Sequence, residues 1–81
     1  MSKIEKLLNK LLSNPKDLTY DEVVKIFNYY GYRENRMAEG SRVVFNDGEN
    51  RFRMHRPHPS NIIKPYMVKA IVAFLQEKEG L

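Results

Sequence analysis

Apolar side chains recur at helical spacing in three stretches of the chain and alternate with polar ones in the stretch between the second and third. Ile4, Leu7, Leu8, Leu11 and Leu12 predict an amphipathic helix over Lys3 to Leu12 with a lysine-rich outer face, stopped by Ser13-Asn14-Pro15. Its leucine stripe suits a core, a dimer interface or a partner contact. A second helix begins at Thr19-Tyr20-Asp21-Glu22. Thr19 as N-cap and Glu22 three residues on form a capping box, and each satisfies a backbone N–H that the first turn leaves open. Val23, Ile26, Phe27 and Tyr30 make its apolar face, and Gly31 supplies the left-handed residue that ends it. A last helix opens on Pro65, carries Val68, Ile71, Val72 and Leu75 as a stripe with Phe74 alongside, and ends at Gly80.

The period changes to two after Tyr32. Tyr32 to Met37 is a short polar strand, Ala38-Glu39-Gly40 a loop, and Ser41 to Asn46 a strand. Asp47-Gly48 is a hairpin turn signal, and Asn50 to His55 is the returning strand. A loop of two or four residues places Ser41, Val43, Phe45, Phe52 and Met54 on one face. Arg42, Val44, Arg51, Arg53 and His55 then share the other. A three-residue bulged loop breaks that pairing, so the arginine stripe depends on the turn. Arg56-Pro57-His58-Pro59-Ser60 has no regular structure, because two prolines remove donors and fix φ. The expected order is helix, helix, three strands, helix, an α+β domain with a three-stranded antiparallel sheet packed on helices.

Eighty-one residues suffice for one domain, 1–81. With no cysteine, the core rests on aliphatic and aromatic packing alone, and a Cys-based metal site is excluded. No apolar run approaches the roughly 20 residues of a membrane span, and the first residues lack the apolar stretch of a signal peptide. A cytoplasmic protein is expected. The net charge of +4 says less than its distribution. All six arginines lie between Arg33 and Arg56, where there is no lysine, and all eight lysines lie outside that stretch. Guanidinium groups grip phosphate and stack on bases, so this segment reads as a nucleic-acid surface. Glu34, Glu39, Asp47 and Glu49 interleave with it, and solubility of exposed strand faces is the plainer alternative.

The run Gly40-Ser41-Arg42-Val43-Val44-Phe45, the hairpin, His55-Arg56-Pro57-His58-Pro59, and Ile63-Lys64-Pro65 opening a last helix resemble the HicA toxins of bacterial toxin–antitoxin pairs. The resemblance covers about Thr19 to Leu81, and the helix within residues 3–13 is an addition to it. It implies a fold similar to double-stranded-RNA-binding domains. It also implies an mRNA interferase that cleaves RNA without a metal or other cofactor and is neutralised by a HicB antitoxin. Family members usually carry Gly-Ser-His where this chain has Gly40-Ser41-Arg42, and that histidine is the one credited with catalysis. Arginine stays charged at any workable pH and is no general base, but it can hold a phosphate or stabilise developing charge.

Metal-free RNA cleavage needs a base for the 2′-hydroxyl proton and an acid for the leaving oxygen, and histidine suits both roles. His55 and His58 are the two histidines. Three apart in a regular strand, they would face opposite ways, unless the Pro57 and Pro59 kinks return His58 to the sheet. By the resemblance His58, at a position where family members often carry histidine, is the leading acid–base candidate, with Arg42 and Arg53 on the phosphate. His55 is the second catalytic candidate, and Arg42, Arg51, Arg53, Arg56 and Lys64 are the RNA-binding ones. The alternative has His55 filling an exposed sheet position and His58 packing in a turn. Asp21-Glu22 is explained by capping and the helix dipole, and the histidines and nearby acids lack metal-ligand spacing. Tyr29 or Tyr66 could stack on a base, with nothing to choose between them. Three readings follow: an RNA-directed toxin, an RNA-binding module without chemistry, and a protein-interaction domain that uses its sheet edge or basic face. The first two require the guanidinium groups to converge on one open surface that the leading helix does not cover.

Overall fold

The computed structural model describes residues 2–36, 42–57 and 60–81. The elements are α1 (Lys3–Leu12), α2 (Tyr20–Tyr29), β1 (Arg33–Arg36), β2 (Arg42–Asn46), β3 (Arg51–His55) and α3 (Pro65–Glu79). The three strands form one antiparallel sheet in the order β1-β2-β3. This is the α+β architecture expected of a double-stranded-RNA-binding-like fold with a helix added in front. Met37 at the end of the first predicted strand, the loop Ala38-Glu39-Gly40, Ser41 at the start of the second, and His58 and Pro59 lie outside the described residues.

Local chemistry sets the boundaries. The Thr19 hydroxyl accepts from the Glu22 amide at 3.2 Å, and the Glu22 carboxylate accepts from the Thr19 amide at 3.0 Å, so the capping box is complete. Lys10 of α1 donates to the same carboxylate at 3.0 Å, joining the first helix to the start of the second. Burial opposes ionisation of Glu22, but the Thr19 backbone, the Lys10 ammonium and the Thr19 hydroxyl together hold its carboxyl below the usual range. Gly31, just past α2, has φ +88°, and Gly80 caps α3 in the left-handed region, as their positions predict.

The hairpin loop has four residues, since Asn46 pairs with Arg51 and Asp47-Gly48-Glu49-Asn50 lies between them. The Asp47 carboxylate accepts from the amides of Glu49 (2.9 Å) and Asn50 (2.6 Å), and the Asn46 side chain accepts from Gly48 at 2.7 Å. Asn50 therefore belongs to the turn, one residue short of its predicted place in β3. Gly48 sits at φ +99°, a conformation unfavourable for any residue with a Cβ.

Val43, Phe45 and Met54 are buried beneath the sheet, with Phe52 half-buried beside them. They meet Val23, Ile26 and Phe27 of α2 and Val68, Ile71 and Leu75 of α3 in one core. Phe27 is its centre, stacked on Phe45 at 4.3 Å and within 5.5 Å of both Tyr32 and Phe52. Leu11 is fully buried in the same core, and Ile4, Leu7 and Leu8 pack against it, so the α1 stripe is core. Leu12 is the exception at 47% exposed, on the flank of the last turn.

One feature has no counterpart in the predicted elements. Ile63 donates its amide to Leu18 at 2.7 Å, and Tyr20 donates to Asn61 at 2.9 Å, bridging Thr19 and Ile62. Leu18, Tyr20 and Ile63 point into the core, while Ile62 points out. The connection after α1 is thereby sewn to the connection before α3.

Candidate nucleic-acid interface

Alternation in the sheet decides what faces outward. Phe45 and Phe52 pair on the inner face, so the neighbouring pairs Val44–Arg53 and Asn46–Arg51 project to the outer face, as do Arg42 and His55, which are directly opposite each other. The β1 register adds Arg33, opposite Asn46, and Asn35, opposite Val44. Arg33, Arg42, Arg51, Arg53 and His55 are all exposed. The five residues form a lattice: Arg51 and Arg53 have Cα atoms roughly 7 Å apart along β3, and Arg33 lies two strands across from Arg51.

The α1 helix lies against α2 and α3 and does not cover this face. A shallow groove of about 600 Å³ runs over it, lined by Asn35, Arg42, Val44, Asn46, Arg51, Arg53 and His55 and bordered by Met67 of α3. No carboxylate is among its described lining residues. Of the four acids interleaved in the arginine segment, Glu34 turns to the helix side, where it accepts a hydrogen bond from the Tyr20 hydroxyl and lies 3.7 Å from Arg36. Asp47 is occupied by the turn amides, which hold its carboxyl below the usual range. Glu34 and Asp47 are thus spent on local structure, and no carboxylate of the described residues lines the outer groove.

Arg56 leaves this lattice. Its guanidinium stands over the Tyr20 ring at 5.3 Å, a cation–π position at the end of β3. It lines a second groove with Lys64, the N-cap residue of α3. The RNA-binding candidates therefore divide into Arg42, Arg51 and Arg53 on the sheet and Arg56 with Lys64 beyond its edge. Arg33 was missed because Arg33-Glu34-Asn35-Arg36 has no apolar alternation. Its side follows only from pairing with β2. The bracing of Tyr20 between Glu34 and Arg56 also lacks a sequence signal, since the three residues come together only on folding.

Chemically, the lattice can hold a chain of phosphates by charge-assisted, bidentate hydrogen bonds. The cross-strand pair Arg42–His55 sets an imidazole beside a fixed cation. The other histidine candidate, His58, lies outside the described residues. Among the described residues no cluster of His, Asp or Glu has the makings of a metal site, and no helix is long and apolar enough to cross a membrane.

The family model of the HicA toxin of bacterial toxin–antitoxin systems matches residues 20–77, from the first turn of α2 to the last turns of α3. No curated protein and no solved structure matches the chain. The match spans the whole sheet and the two helices beneath it, leaving α1 outside. The chain therefore belongs to the HicA toxins, the toxin half of bacterial toxin–antitoxin pairs, and the family implies an antitoxin as its partner.

Proposed function

We propose that the protein is a cytoplasmic RNA-binding toxin, a metal-independent mRNA interferase neutralised by a HicB-like antitoxin, with the outer face of the sheet as its RNA-binding surface. The observation that carries this reading is the exposed lattice of Arg33, Arg42, Arg51 and Arg53, with His55 at one end of it beside Arg42 and Arg53. In this reading Arg42 and Arg53 hold the scissile phosphate. His55 exchanges protons with the ribose hydroxyl or the leaving oxygen, and His58 is the candidate for the complementary transfer. The 2′-oxygen gives up its proton and bonds to phosphorus. The bond from phosphorus to the 5′-oxygen of the next nucleotide breaks, and that oxygen takes a proton. Arg42 stands where the family usually has its histidine, so the proton-transfer role passes across the strand pair to His55.

The test is cleavage of a labelled RNA in chelator by the wild type, H55A and H58A, with binding measured alongside. Loss of a positioned acid or base lowers the rate by about 100-fold or more, while RNA affinity holds. Full activity in both variants removes the histidines from the mechanism. The second reading, an RNA-binding module without chemistry, is favoured by Arg42 itself, and RNA that is bound but left intact by the wild type establishes it. Absence of RNA binding at low salt leaves the third, a face that docks only a protein.

A further inference from the structure

The sheet groove does not end at the sheet. It shares Met54, His55 and Met67 with a second groove of about 450 Å³ at the start of α3, so the two adjoin at His55. The second groove is lined by Lys16, Arg56, Ser60, Lys64 and Tyr66, and again no carboxylate is among its described lining residues. The geometry points to a flanking nucleotide subsite in this second groove. Lys16, Arg56 and Lys64 hold the backbone of a single RNA strand leaving the sheet, and Tyr66 stacks on one of its bases. This subsite rests on the RNA-binding reading above and extends it beyond the sheet.

Three features support it. Tyr66 is 66% exposed on the first turn of α3, an aromatic ring open to solvent beside three cations. Tyr29, the other exposed tyrosine, lines neither groove and lies edge-on to Tyr30 at 5.1 Å. The structure thus selects between two rings that the sequence leaves equivalent. Base–aromatic stacking tolerates any base and suits an unpaired strand.

The charge at the helix start is also out of the usual order. The first turn of α3 has no acidic residue, and its N-cap is Lys64, whose side chain makes no cap hydrogen bond. A cation beside the positive end of a 15-residue helix is unfavourable by itself, and a bound anion would relieve it. Among the described residues neither Lys16 nor Lys64 forms an ion pair. Neighbouring Asp17 is met by Lys10 at 3.6 Å.

The third feature is the seam between Leu18-Thr19-Tyr20 and Asn61-Ile62-Ile63. It holds the segment carrying Lys16 against the one carrying Lys64. Lys16 precedes residues 20–77, so the added N-terminal part of the chain contributes a cation to the groove wall.

The experiment compares an unstructured RNA of about 12 nucleotides with one of about six, a length that fills the sheet groove alone. Affinity is read by fluorescence anisotropy for the wild type, Y66A, Y66F, K16A/K64A and R42A/R53A. Y66A is expected to weaken the longer RNA about tenfold and Y66F by less than about twofold, with the shorter RNA unaffected by either. K16A/K64A lowers the salt slope of the longer RNA by about 1.4 and leaves that of the shorter one alone. The subsite is overturned if Y66A and K16A/K64A bind the longer RNA like the wild type while R42A/R53A weakens both RNAs, an outcome that leaves the sheet reading intact. Wild-type affinity in R42A/R53A for both RNAs overturns the sheet reading and the subsite with it.

Discussion

Replacing Arg42 and Arg53 by alanine tests the sheet surface most directly. Both side chains are exposed, both line the groove, and their pairing partners His55 and Val44 also lie on the outer face. Truncating them leaves the core untouched, and surface changes of this kind usually alter stability by less than about 0.5 kcal/mol. The magnitude follows from counterion release. Each phosphate contact on a single strand contributes about −0.7 to the slope of log affinity against log salt. Four guanidinium groups, from Arg33, Arg42, Arg51 and Arg53, give a slope of about −2.8 for a short RNA held on the sheet. Affinity then falls roughly 50-fold between about 50 and 200 mM salt. With two groups removed, the slope becomes about −1.4 and the same salt step costs roughly sevenfold. Fluorescence anisotropy of a labelled oligonucleotide across a salt series measures the slope directly, with a thermal melt by circular dichroism as the folding control. A double variant that melts like the wild type and keeps a slope near −2.8 refutes phosphate binding by these arginines.

Other consequences concern the scaffold. Phe27→Ala removes the ring at the centre of the core and should cost about 3–5 kcal/mol. A chain of 81 residues has about 4–12 kcal/mol in total, so urea titration should show a much lower midpoint or no folded baseline. Thr19→Ala breaks the capping box at the start of α2 and should lower stability by about 1 kcal/mol in the same titration. Burial, with the hydrogen bond to Glu79, pushes the Tyr32 hydroxyl up to about 12 from its ordinary 10.0. The folded state thus keeps a proton that the unfolded chain loses. The stabilisation is complete below pH 10.0 and disappears as pH rises towards about 12. In alkaline melts Tyr32→Phe should flatten this decline, and an unchanged decline would show that Tyr32 does not drive it.

Much of the scaffold could be read from the chain because its signals are local. The Thr19–Glu22 box spans one helical turn, and the sheet faces follow from alternation for a hairpin loop of either two or four residues, four being the number found. Arg42, Arg51, Arg53 and His55 could therefore be assigned to one surface in advance. Arg33 could not, because an all-polar strand has no hydrophobic alternation to set its facing. Arg56 is legible as a cation just past the last strand, but its place over the Tyr20 ring has no sequence signal. The seam joining Leu18-Thr19-Tyr20 to Asn61-Ile62-Ile63 escaped because each side is too short to show a period and the partners are over forty positions apart. Tertiary pairing alone distinguishes Tyr66 from Tyr29, so stacking candidates stay ambiguous until the grooves are formed.

The buried core draws on both ends of the described chain, joining Leu11 of α1 to Leu75 of α3, while the Tyr32 hydroxyl reaches Glu79. Leu75 and Glu79 lie in the last two turns of α3, so a chain truncated before residue 65 loses one of the two helical layers that back the cationic strands, and the arginine face is left without its rigid base.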